Sequence, residues 1–181
     1  MKEVLISQKP EWCELTLLGK KTIEIRKSRP AVQTPFKVRI YCTYGDMKTN
    51  YCLQRRGYVV GEFICDSIDY ISVYQDTVYA VDHFQRNILA QSCLTIEQLK
   101  AYIGAKNRAY AWHISELKIY DKPKELSGFI TPTDCESIIA KDMLCTTCCL
   151  CVDFCSKKPK RITRPPQSWC YVQENMRATV C

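Results

Sequence analysis

Eight residues near the start of the chain constrain it most. Gly19-Lys20-Lys21-Thr22-Ile23-Glu24-Ile25-Arg26 reads G-x-K-x-x-E-x-R. Pro10 suits a first helical turn, where its missing N–H has no intrahelical partner, and Gly19 suits the residue just past a helix end. The spacing therefore predicts a helix over 10–18 that hands over to a strand over 22–28. Successive strand side chains point to opposite faces. Ile23 and Ile25 fall on one face, and Thr22, Glu24 and Arg26 on the other. With Lys21 in the turn, an ammonium, a carboxylate and a guanidinium share one polar surface beside an apolar one. Such a surface on a rigid element can hold a polar ligand. The same pattern also serves as an exposed strand face with one Glu–Arg pair.

The rest of the chain reads as further strands with short helices between them. Residues 3–8 suit a first strand. In 36–44, Phe36, Val38, Ile40 and Cys42 point inward and Lys37, Arg39 and Tyr41 point the other way. Residues 58–70 are apolar on both faces, as in a strand covered on both sides. Glu62 interrupts that run, so it is either satisfied by a neighbour or functional. Residues 75–93 read as a loop with helical turns. Thr95-Ile96-Glu97-Gln98 forms a capping box that opens a helix through 102, ended by Gly104. Residues 108–120 make a long strand and 168–172 a last short one. The fold class is α+β, mostly β: a small mixed β-barrel with short flanking helices, the motif strand lying beside the 36–44 strand. Residues 1–125 and 162–174 make the barrel. Residues 126–161 are a Cys-rich insertion whose Gly128, Pro132 and cysteine run break periodicity, and 175–181 are a loose tail.

Net charge is +7, and the basic residues cluster. Residues 20–39 hold seven Lys or Arg against the single acid Glu24, and residues 157–164 hold five and no acid. That balance favours an anionic partner, nucleic acid first, although it also suits ordinary solvated surface. The start of the chain lacks the pattern of a signal peptide, and no apolar run approaches a membrane span, so a cytoplasmic protein is expected. In a reducing compartment the 13 cysteines read as metal ligands or plain thiols. Cys145, Cys148, Cys151 and Cys155 are spaced C-x2-C-x2-C-x3-C. A ferredoxin run has that spacing, but no proline follows Cys155 and no second run exists. Zinc is the metal expected, through four thiolates, with Cys135 or Cys170 available as a more distant ligand. Unligated thiols and an iron–sulfur cluster stay open. His83 and His113 are the only histidines, too few for a His-rich zinc hydrolase, and no nucleophile elbow, Walker loop or Rossmann fingerprint occurs. Trp12, Tyr41, Tyr110, Trp112, His113 and Trp169 can each stack a base or pack in a core.

The G-x-K-x-x-E-x-R motif resembles the signature of the ASCH domain, a small β-barrel family related to the PUA RNA-binding domain. Val4-Leu5-Ile6-Ser7, Lys9-Pro10-Glu11-Trp12, Arg29-Pro30 and Thr34-Pro35-Phe36-Lys37-Val38 agree with it in style and order. Tyr110-Ala111-Trp112-His113-Ile114, and the stretch from Arg164 to Val172, resemble phage- and prophage-type members. The resemblance implies a PUA-like barrel that binds RNA or a modified nucleoside. It makes Trp12, Lys21, Thr22, Glu24, Arg26, Tyr41, His113 and Trp169 the ligand-binding set. Lys21 and Arg26 would meet phosphate or carbonyl oxygen, and Glu24 an exocyclic amine. Some ASCH-related proteins that this chain resembles are amidohydrolases that deacetylate N4-acetylcytidine with a lysine, a threonine nucleophile and a glutamate. Lys21 matches the lysine, Glu24 stands where the threonine would be, Thr22 is out of register, and Glu62 is at best an analogue of the glutamate, with no motif that aligns it. An enzyme would therefore rely on Lys21, Glu24 and Glu62 for acid–base chemistry. A third reading is a phage-encoded protein-interaction adaptor that presents the Cys-rich insertion.

Overall fold

A computed structural model of the chain describes residues 3–45, 53–80, 87–132 and 159–175. Its strands are β1 (Glu3–Gln8), β2 (Ile23–Arg26), β3 (Phe36–Cys42), β4 (Tyr58–Tyr74), β5 (Thr77–Ala80), β6 (Arg108–Glu125), β7 (Phe129–Ile130) and β8 (Trp169–Glu174). Helix α1 (Pro10–Leu17) joins β1 to β2, and α2 (Ile88–Ser92) and α3 (Ile96–Ile103) join β5 to β6. The architecture is mostly β, with short flanking helices, as expected. The capping box at Thr95 and Gln98 forms, and Gly19 takes φ 69° just past α1.

The eight strands form one mixed sheet in the order β2-β6-β4-β3-β1-β8-β7, with β5 paired to β4. The expected barrel is not closed by its ladder: among the described strands, β2 and β7 end the path. Side chains bridge the gap instead. Arg26 on β2 donates to Ser7 O of β1 at 2.8 Å and to Ser168 O at 3.0 Å. Gln8 Nε2 donates to Glu24 Oε2 at 2.7 Å, and Trp169 Nε1 donates to Ser28 Oγ at 3.0 Å. Four ladder steps separate β2 from β1, roughly 19 Å in a flat sheet. Contact at hydrogen-bond distance requires the sheet to curl until its β2 edge meets β1 and β8.

The motif strand does not lie beside β3 as the sequence reading had it. It pairs antiparallel with β6. The reason is edge occupancy: β3 already has β1 parallel on one side and β4 antiparallel on the other. A second difference is β5, which forms inside the stretch read as a loop. Gln75 takes a left-handed φ of 52° and turns the chain back onto β4.

Both faces of the curled sheet are covered. Val4, Ile6, Phe36, Val38, Ile40, Phe63 and Trp112 fill the inner face together with Leu17 of α1. Ile23 and Ile25 instead meet Ile71, Ile88, Leu99, Ile103 and Ala111 beneath α2 and α3. Leu5, Tyr41, Val59, Tyr120, Leu126, Phe129, Ile162 and Val172 make a third core. Arg39 and Tyr41, expected on the less covered face of β3, are therefore buried too.

On either side of residues 133–158 the chain pairs with itself. Thr131 N donates to Lys160 O and Ile162 N to Phe129 O, each at 2.8 Å. Cys145, Cys148, Cys151 and Cys155 lie outside the described residues, as do Cys135, His83 and residues 176–181. Among the described residues no helix is long and apolar enough to cross a membrane.

Candidate ligand cleft

The helix-to-strand turn sets up the site. Lys20 N and Lys21 N both donate to Leu15 O, closing the end of α1, and Thr22 N donates to Gln91 O, fixing the turn against α2. Lys21 is thereby turned inward. Its Nζ donates to Ser92 O at 2.9 Å, stands 3.5 Å from Glu24 Oε2 and lies 5.9 Å from the centre of the Trp12 ring. Glu24 Oε1 meets Arg26 Nη2 at 2.8 Å, and its Oε2 accepts from Gln8. Lys21, Glu24 and Arg26 are 3%, 6% and 5% exposed. The alternative of an exposed strand face is therefore not what forms: the curl of the sheet buries the polar side of β2 against β1.

Burial alone would raise the Glu24 carboxyl. The Arg26 and Lys21 charges and the Gln8 amide outweigh it and hold the group below its ordinary value. The triad thus carries two cations and one anion, with one positive charge in excess.

These residues form the floor of a cleft of about 520 Å³. Ser7, Gln8, Lys9, Glu11 and Trp12 from β1 and α1, Ile25 from β2, Leu94, Gln98, Ala101 and Tyr102 in and before α3, and Gln167 just before β8 also line it. The volume falls in the range of small-ligand sites.

Of the residues singled out from sequence, Trp12, Lys21, Glu24 and Arg26 come together here. The others do not line the cleft. Thr22 is exposed. Tyr41 packs in the third core. His113 is bound through Nε2 to Asp69 Oδ2 at 2.8 Å. Trp169 packs edge-on against Tyr171 and tilted against Trp112. Glu62 belongs to a separate cluster, where it accepts from Tyr120 at 2.6 Å and pairs with Arg39 and Lys37. That answers the question it posed in sequence: neighbours satisfy it, and it is not beside Lys21. Sequence reasoning missed Gln8, Gln98, Ala101 and Tyr102. The signals were there: Gln8 continues the inward row Val4, Ile6, and the other three are spaced i, i+3, i+4 on one side of α3.

No family model and no curated protein matches the sequence. Solved structures do. The crystal structure of an ASCH protein from Zymomonas mobilis aligns with a TM-score of 0.55 at 20% identity, covering 95% of this chain and 88% of that one. The chain has the ASCH fold. Two mutants of the same Zymomonas mobilis protein align equally well. One gives a TM-score of 0.56 at 19% identity over 97% of this chain and 93% of that one. The other gives 0.55 at 19% identity over 96% and 90%. The alignments thus span almost the whole length, while four residues in five differ.

Proposed function

We propose that the chain is an ASCH-type module that binds RNA or a modified nucleoside, one base entering the cleft above Lys21, Glu24 and Arg26. The buried triad carries this reading. Taking three charges out of water costs several kcal/mol per ion unless they are well paired. Here a surplus of N–H donors is kept at the floor of an open cleft with Trp12 and Tyr102 on its walls. An ammonium has three protons, and Lys21 uses two, leaving one for a ligand carbonyl. The phosphate role expected of Lys21 and Arg26 passes to exposed cations: Lys9 lines the cleft, and Lys27 stands 5.1 Å from the Tyr102 ring centre.

Titration calorimetry with nucleosides and short single-stranded RNAs tests the reading. Trp12→Ala should weaken binding by about 10- to 100-fold, since stacking one base on an aromatic ring contributes roughly 1–3 kcal/mol. RNA affinity should fall with salt, and Lys27→Ala should reduce the log–log slope by about one, leaving nucleoside binding unchanged. No binding of any nucleoside or RNA at millimolar concentration overturns the proposal. An amidohydrolase is the less favoured reading, because position 24 offers a carboxylate already engaged by Gln8 and Arg26, and Glu62 lies in another cluster. A cytoplasmic setting belongs to the same proposal.

We also propose zinc at Cys145, Cys148, Cys151 and Cys155. The C-x2-C-x2-C-x3-C spacing of the four thiols supports this, since zinc is held by tetrahedral thiolate sulfur. Elemental analysis should find about one zinc per chain, and a chelator should unmask four thiols. Metal-free protein with all of these thiols reactive at once overturns it.

A further inference from the structure

We infer that Gln8 reads the bound base: its Oε1 accepts a hydrogen bond from a ligand N–H, and Arg26 Nε donates to the acceptor beside that N–H. The inference rests on the binding reading above and deepens it by naming the edge that is recognised.

Gln8 is 2% exposed, and its amide is fixed in one orientation. Nε2 donates to Glu24 Oε2 at 2.7 Å and to Thr16 Oγ1 at 3.2 Å. The flipped amide would set a carbonyl oxygen against a carboxylate, which cannot donate. Glu24 is held ionised by Arg26 and Lys21 against the effect of burial, so this constraint persists at neutral pH. The Gln8 Oε1 atom is left buried without a partner. Arg26 shows the converse. Its Nη1 donates to Ser168 O, and its Nη2 meets Ser7 O and Glu24, while Nε, also buried, has no partner.

Native structures pair nearly all buried polar atoms, and each exception calls for an explanation. Here one orphaned acceptor and one orphaned donor belong to side chains that flank the same carboxylate. Both side chains line the cleft. Phosphate, which presents acceptors alone, complements only half of this pair. A planar edge with an N–H beside a lone pair complements both, and nucleobases present that edge in two forms. Cytosine and adenine offer an exocyclic amine beside a ring nitrogen, whereas uracil offers a ring imide N–H beside a carbonyl. This changes the expectation from sequence: the acceptor for the base is Gln8, because Glu24 is already engaged.

The test deletes the N–H from the ligand. Calorimetry on the wild-type chain compares cytidine with pyrimidin-2-one riboside, adenosine with purine riboside, and uridine with N3-methyluridine. At least one pair should differ by tenfold or more, the usual loss when a buried partner is left unpaired. The pair that differs identifies the form of the edge. In Gln8→Met the same discrimination should shrink to within twofold. Equal affinities within every pair, or discrimination that survives in folded Gln8→Met, overturns the role of Gln8 while leaving nucleoside binding intact. Absence of binding by all six nucleosides overturns this inference, and absence of binding by every other nucleoside and by RNA as well removes the binding reading with it. The wild-type comparison needs no variant, so it decides even where Gln8→Met does not fold.

Discussion

Glu24→Gln should melt roughly 6–20 °C below the wild type at neutral pH. The amide keeps the shape of the carboxylate but removes its charge and turns one of its two acceptor oxygens, both of which face N–H donors, into a donor. Lys21 and Arg26 are then left 3% and 5% exposed with their shared counter-charge gone. Breaking a buried pair by removing one partner costs about 3–5 kcal/mol, a large part of the roughly 5–15 kcal/mol that holds a domain folded. For a chain of this size each kcal/mol moves the midpoint by about 2–4 °C. The pH dependence has a definite sign. In the fold the Glu24 carboxyl lies below its ordinary value of 4.5, because Arg26, Lys21 and Gln8 outweigh the upward push of burial. Its stabilising effect is therefore complete above pH 4.5 and is lost as pH falls through the lower folded value. The gap between wild type and Glu24→Gln should be full at pH 7 and narrow in acid, as the protonated carboxyl comes to resemble the amide. Melts at pH 7 and at steps below pH 4.5 check both parts. Equal midpoints at pH 7 would show that Glu24 is not the counter-charge.

What the sequence made legible was local. The handover from α1 to β2, the alternation of Ile23 and Ile25 against Glu24 and Arg26, and the capping box at Thr95 all follow from residues a few positions apart. What it hid was long-range. Alternation in 22–28 does not tell which strand edge is free, so the pairing of β2 with β6 rather than β3 was not readable. Residue type did not sort the aromatics either: Trp12 reaches the cleft while Tyr41 and Trp169 pack among apolar neighbours. Glu62 looked chemically interesting because its partners, Arg39 and Tyr120, lie 23 and 58 residues away in the chain.

That second cluster yields the other large expected effect. Arg39 is 5% exposed on β3, and its guanidinium ties strands together. It binds Glu3 of β1 through Nε at 2.7 Å and Nη2 at 3.1 Å. Its Nη1 donates to Glu62 of β4 and Tyr120 of β6, and Nη2 lies 3.3 Å from Glu174 of β8. One side chain thus joins five strands through three carboxylates and a phenol. Removing it leaves the carboxylates crowded together, with Lys37 at 3.7 Å from Glu3 and 3.6 Å from Glu62 and Lys124 paired with Glu174 as the remaining cations. Arg39→Ala should cost about 3–5 kcal/mol. Arg39→Lys should recover only a minor part, because an ammonium cannot bind Glu3 through two nitrogens and reach Glu62 and Tyr120 as well. Glu62→Gln added to Arg39→Ala should restore some stability by removing one of the crowded negative charges, which a loss of packing alone would not allow. Urea denaturation of the three variants measures this. Arg39→Lys as stable as the wild type would reduce the cluster to one point charge among carboxylates.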